Sequence, residues 1–197
     1  MEFCPTPPMT DDKRVADILT EAFANNQSVN YVVRQDRHRL KRIRRLMQYA
    51  VATGHDFGEV WLSDDRTACA ITVLPDQKRF TVAAARRDVR LAIAATGLGN
   101  VYRTLRREAQ IKAAHPDSPF CHLWFVGVAR AAQGQGKGSR LLQTVMDHYH
   151  AQQRPIYLET STRRNLPWYQ RFGFEVYGEL NFPYPLYLLR STTNSSQ

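Results

Sequence analysis

One stretch, VGVARAAQGQGKGSRLL from Val126 to Leu142, restricts what this chain can fold into more than any other. An apolar, strand-like run from Leu123 to Val128 feeds a loop with glycine at Gly134, Gly136 and Gly138. An amphipathic helix follows at once, with Leu141, Leu142, Val145, Met146 and Tyr149 spaced along one face. A strand, a glycine loop and a helix N-terminus in succession form a site for a phosphorylated ligand. Glycine lets the backbone approach an anion with no Cβ in the way. The first helical turn offers N–H groups that lack intrahelical partners, at the positive end of the helix dipole. Lys137 and Arg140 add charge beside them.

Spacing excludes two common phosphate loops. The Walker A pattern needs Ser or Thr after its Gly-Lys pair, and Gly138 stands there instead. The dinucleotide pattern needs its third glycine three residues after the second, and here it comes after two. What remains is Gln133-x-x-Gly136-x-Gly138. Taken alone, it is either a ligand loop or a turn that only joins strand to helix.

A second segment, PIYLETSTRRNLPWYQRFGFEVYGEL from Pro155 to Leu180, narrows the choice. It predicts a strand over Ile156–Thr160, a polar loop over Ser161–Arg164, and a short helix from Leu166 to about Phe172. Asn165 suits the N-cap and Pro167 the first turn. Gly173 suits a left-handed terminator, and the next strand begins at Phe174. Together the two segments resemble the GNAT superfamily of acyl-CoA-dependent N-acetyltransferases. The wording Leu-Glu-Thr-Ser…Asn-Leu-Pro-Trp-Tyr…Gly-Phe is similar to the branch containing puromycin N-acetyltransferase. The resemblance is strong from about Cys121 to Tyr177 and thin elsewhere.

That resemblance implies an α/β (α+β) fold, with a mixed, twisted sheet of about six to seven strands flanked by helices. It implies acetyl-CoA as cofactor. The pyrophosphate would lie on Gln133, Gly134, Gln135, Gly136, Lys137, Gly138 and Ser139, and the pantetheine arm on Asn165. Backbone amides of Val126, Gly127 and Val128 would polarise the thioester, and Tyr169 would stand by the sulfur as general acid. The bland alternatives are that Tyr169 is a core aromatic and that Asn165 is only a cap. For the proton acceptor, Glu159 lies on the strand face opposite Ile156 and Leu158, and His122 has a suitable intrinsic pKa. A water chain is the third option. No sequence cluster of His, Cys and Asp suggests a metal.

The chain has 197 residues, enough for one domain with a core. It is 43% hydrophobic and 23% charged, as in a globular chain. No apolar run would cross a membrane, and the start, MEFCPTPPMT, lacks the features of a signal peptide. Cys4, Cys69 and Cys121 are too scattered for a disulfide or zinc framework and predict reduced thiols in a cytoplasmic protein. The net charge of +9 raises a nucleic-acid reading. However, the densest basic run, Arg37–Arg45, carries Leu40, Ile43, Met47 and Ala50 at helical spacing, so its cations read as a solvated helix face.

The remaining pattern predicts helices over Asp11–Phe23 and Arg37–Thr53, the second ended near Gly54. Loop residues Asn25, Asn26 and Gln27 separate them, and strands follow over Glu59–Ser63 and Cys69–Leu74. A long segment, Gln77–Pro116, predicts two helices, Ala83–Ala95 and Asn100–Ala114, hinged at Gly97 and Gly99. It either protects the sheet or walls an acceptor pocket. Strands over Glu175–Gly178 and Tyr184–Leu189 close the sheet, with tails over 1–10 and 191–197. The leading expectation is acetyl transfer to a small-molecule primary amine by a monomer or homodimer. A protein lysine or N-terminal acetyltransferase and a non-catalytic acyl-CoA sensor are the alternatives.

Overall fold

The computed structural model describes residues 10–79, 86, 89, 91 and 95–191. The predicted helix Ala83–Ala95, the start containing Cys4 and the tail 192–197 fall largely or wholly outside them. In chain order the elements are α1 (Thr10–Phe23), α2 (Gln27–Val32), α3 (Arg39–Phe57), β1 (Gly58–Leu62), β2 (Ala68–Val73), α4 (Leu98–Ala114), β3 (Cys121–Val128), α5 (Lys137–Ala151), β4 (Ile156–Thr160), α6 (Leu166–Gln170), β5 (Phe174–Asn181) and β6 (Pro185–Ser191). The strands form one six-stranded sheet in the order β1-β2-β3-β4-β6-β5. This is the mixed α/β architecture expected from the sequence. Among the described residues, no helix is long and apolar enough to cross a membrane.

Helices cover both faces of the sheet. On one, Val15, Ile18 and Leu19 of α1 and Ile43, Met47 and Ala50 of α3 bury against Ile71 and Phe125. On the other, Leu141, Leu142, Val145, Met146 and Tyr149 of α5 bury against Leu123, Ile156 and Leu158. Each Val, Leu, Ile or Met among them contributes about 1.5–3 kcal/mol on full burial, so these two stripes hold the helices to the sheet. The periodicity is followed only in part: Ile43, Met47 and Ala50 are buried, but Leu40, expected on the same stripe, is 53% exposed, and Arg39, Arg42 and Arg44 are half-buried while Lys41 and Arg45 are exposed.

Three local expectations are corrected. The Asn-rich segment is not all loop: the Asn26 side chain accepts the Val29 N–H at 3.1 Å and caps α2. Gly54 does not end α3, which continues to Phe57. A Cβ at Gly54 would lie 2.8 Å from Val60 Cγ2 and 2.9 Å from Ile71 Cγ2, so this glycine serves close packing of the helix on the sheet. In the long segment, α4 starts at Leu98, two residues early. Gly97 precedes it with φ of 72°, and Gly99 lies inside its first turn.

Two irregularities in the sheet open the site. Strands β3 and β4 run parallel but pair only at Cys121–Ile156 and His122–Tyr157. Beyond that point they separate, leaving a cleft at their C-terminal ends. In addition, the β2–β3 register jumps between Ile71 and Thr72, which face Phe125 and Leu123, so Trp124 is the extra residue of a bulge. The bulge exchanges the faces of β3. Leu123 packs on the α5 side before it, whereas Phe125 packs on the α1–α3 side after it.

Candidate active site

Two cavities lie on either side of the point where β3 and β4 part. The larger, about 640 Å³, is a groove along the glycine loop. The smaller, about 290 Å³, is walled by α2, α3, α4, β3 and β4. Both are lined by Val126, Asn165 and Tyr169, so the two meet there.

The groove suits a pyrophosphate for reasons visible in its backbone. Gly134 and Gly136 have φ of 77° and 74°, in the left-handed region that other residues rarely adopt. The first i→i−4 bond of α5 runs from Arg140 N to Gly136 O at 3.0 Å. The amides of Lys137, Gly138 and Ser139 precede it and have no intrahelical acceptor. Ser139 Oγ accepts the Trp168 indole N–H at 2.9 Å, which ties α6 to this turn.

Not every residue of the loop faces the ligand. Gln133 lines the groove, yet its amide donates to Val128 O at 3.1 Å and braces the end of β3. Gln135 donates to Ala131 O at 3.2 Å and is not part of the groove wall. Lys137 is paired with Asp65, so its ammonium is not free for an anion as its position in the sequence suggests. The partner ammonium holds the Asp65 carboxyl well below the usual carboxylate range. Arg164 lines the groove and supplies a cation there, although nothing in the sequence singles it out. Gly127 has a packing role: a Cβ there would lie 2.8 Å from Leu19 Cδ2 of α1.

Asn165 and Tyr169 occupy the junction. Asn165 has helical dihedrals and makes no capping bond with its side chain, which corrects the cap reading and leaves its amide for a ligand. Tyr169 is 8% exposed. It is a core aromatic by contact, with Phe174 5.6 Å and Trp168 4.7 Å away between ring centroids, and it also lines both cavities. Burial pushes its phenol up, and the negative charge of Glu159 adds to the effect. The residue therefore stays an O–H donor across the physiological range.

The smaller cavity contains a charged chain in which the sequence singles out Glu159 and His122 but not His115. Glu159 Oε2 lies 2.8 Å from His122 Nε2, and Glu159 Oε1 lies 2.7 Å from His115 Nε2. Burial favours the neutral acid at Glu159, but the two histidines outweigh it and hold the carboxyl well below its ordinary range. An ionised carboxylate only accepts, so each Nε2 carries the hydrogen and donates it to Glu159. Glu159 is thus committed to the two rings, and His122 is the ring that lines the cavity. Among the described residues these three are also the group whose ligand atoms, within 4.8 Å of one another, could gather a cation. The sequence reading finds no such cluster. Here the two hydrogen bonds go to different carboxylate oxygens and already satisfy it as a proton-holding chain.

The geometry has clear relatives. The family model described as Acetyltransferase (GNAT) domain matches residues 76–176. A Corynebacterium glutamicum structure, described as histone acetyltransferase HPA2 and related acetyltransferase, is similar with a TM-score of 0.70 and 22% identity, over 97% of this chain and 96% of that one. Arylalkylamine N-acetyltransferase 2 from Aedes aegypti gives 0.60 at 12% identity, over 95% and 98%. An N-acetyltransferase from Staphylococcus aureus gives 0.59 at 12%, over 96% and 100%. At these identities the likeness is one of fold.

Proposed function

This chain belongs to the GNAT acetyltransferase family and is an acyltransferase, and from that premise we propose that it moves an acetyl group from acetyl-CoA to a primary amine of a small molecule. The groove fits the donor: three unpaired amides and two left-handed glycines make the cradle, and the uncapped Asn165 amide faces the same groove. Gly134, Gly136, Lys137 (by its amide), Gly138 and Ser139 would hold the pyrophosphate, and Asn165 the pantetheine arm. Bound there, acetyl-CoA supplies an activated thioester carbonyl, so no metal or further activation is needed.

The protein's part is alignment and proton transfer. An amine must lose a proton to attack, and His122 Nδ1 receives it, with Glu159 stabilising the imidazolium that forms and His115 holding the other carboxylate oxygen. Amides of β3 beyond Leu123, no longer paired with β4, are available to polarise the carbonyl. Tyr169, kept protonated by burial, donates to the departing sulfur. The observation that carries this reading is the meeting of the two cavities at Tyr169, between the phosphate cradle and the His122–Glu159–His115 chain.

Wall residues from α4 close the smaller cavity and favour a small amine over a protein side chain. The test is release of free CoA thiol from acetyl-CoA against a library of small amines and of peptides bearing lysine or a free N-terminus. Release with small amines is expected. Binding of CoA without turnover on any amine would make the protein a sensor, and turnover confined to peptides would make it a protein acetyltransferase.

A further inference from the structure

Arg107 on α4 is 8% exposed, and it is held from three directions in the wall of the smaller cavity. Its Nε donates to Tyr184 Oη at 2.9 Å, one terminal nitrogen donates to Ser28 Oγ at 2.5 Å, and the other meets Glu108. The guanidinium also lies 5.9 Å from the centre of the Phe182 ring. A guanidinium has five N–H groups in a planar fork. Three are engaged, so one N–H on each terminal nitrogen remains among the described residues. Glu108 does not fully neutralise the charge, because its side chain is 54% exposed and water weakens the attraction. One turn earlier on the same helix, Thr104 Oγ1 lines this cavity, buried and with no partner among the described residues.

A buried cation with one donor unspent on each terminal nitrogen, beside a buried hydroxyl unspent, is costly unless a ligand completes it. A planar carboxylate matches that pair of donors bidentately. We propose that Arg107 and Thr104 receive a carboxylate on the acceptor, so the substrate class is an aminocarboxylate, an amino acid or a close analogue. This rests on the reading that a small amine is acetylated in this cavity. Carboxylate on Arg107 and amine towards His122 orient one molecule across a space of about 290 Å³. Apolar wall residues Val29, Leu46 and Ile111 suit an aliphatic body between them.

The experiment compares leucine, leucinamide and isopentylamine, which share the aliphatic body and the amine but differ at the carboxyl group. Calorimetric binding in the presence of CoA and CoA thiol release are both recorded. Leucine is expected to bind and to exceed the other two by about a hundredfold in kcat/KM. Arg107→Met and the charge-keeping Arg107→Lys should collapse that ratio to within a few-fold, with CoA titration showing that both variants remain folded. Failure of leucine to bind, or equal kcat/KM for all three, overturns the inference; in the second case acetyl transfer to amines still stands. Leucine that binds through Arg107 without CoA release from any of the three supports the carboxylate site and overturns the acetyltransferase reading instead.

Discussion

Trp168 donates its indole N–H to Ser139 Oγ across 2.9 Å, so the helix that carries Tyr169 is fastened to the turn that would hold the pyrophosphate. One hydrogen bond between residues 29 apart therefore joins the elements proposed to carry the general acid and the phosphate cradle. Trp168→Phe keeps the ring packing and removes the donor. A neutral hydrogen bond is worth about 1 kcal/mol, so the KM for acetyl-CoA should rise about fivefold. An unchanged KM in steady-state assays would show that the two elements hold their positions without it.

Tyr169→Phe separates acid from core aromatic. The ring contacts with Trp168 and Phe174 survive, so thermal stability should barely move, whereas kcat should fall on the order of a hundredfold with little change in acetyl-CoA affinity. Wild-type turnover would return the residue to a packing role.

At the cradle, Gly136→Ala introduces a Cβ that meets no protein atom within 4 Å but must adopt φ near 74°. The strain is about 1–2 kcal/mol. Gly136→Trp fills the groove itself and should abolish CoA binding by calorimetry. Unaltered binding in the Trp variant would mean that the anion lies elsewhere.

Glu159 gives a pH signature. Its folded-state pKa is depressed, so its stabilisation is present above the ordinary carboxylate value of about 4.3 and is lost as pH falls through the folded value. Glu159→Gln should cost about 2–3 kcal/mol at pH 7. That gap should begin to close below about pH 4. Urea midpoints at pH 7, 5 and 3 measure it, and a gap equal at all three would assign the loss to shape rather than charge.

His122→Gln should lower kcat by about a hundredfold while leaving acetyl-CoA affinity unchanged. Wild-type turnover in this variant would shift the proton acceptor to water.

Local pattern made much of this legible. The α5 stripe follows from five apolar residues at helical spacing, and the cradle from glycines between strand and helix. The long segment before β3 reads equally as cover or wall in the sequence, and α4 lines the smaller cavity through Thr104, Arg107 and Ile111. Other features have no local signature. His115 and Glu159 are 44 residues apart, and only the β3–β4 pairing, with the chain that leads into β3, brings them together. Arg107 looks like any cation on an amphipathic helix until Tyr184, 77 residues on, folds over it. The Trp124 bulge is invisible because the alternation of β3 continues unbroken while the face it addresses changes.

The two cavities share Phe23, Asn26, Val126, Asn165 and Tyr169 but are otherwise lined by different residues, and the consequence is modular. On the proposed function, the donor side is built from β3, α5, α6 and the end of α1, whereas much of the acceptor wall comes from α2 and from a helix spliced between β2 and β3. Exchanging α4 for another sequence would rewrite which amine is recognised and leave the acyl-donor machinery in place. A chain of this kind can acquire new acceptors by editing one segment.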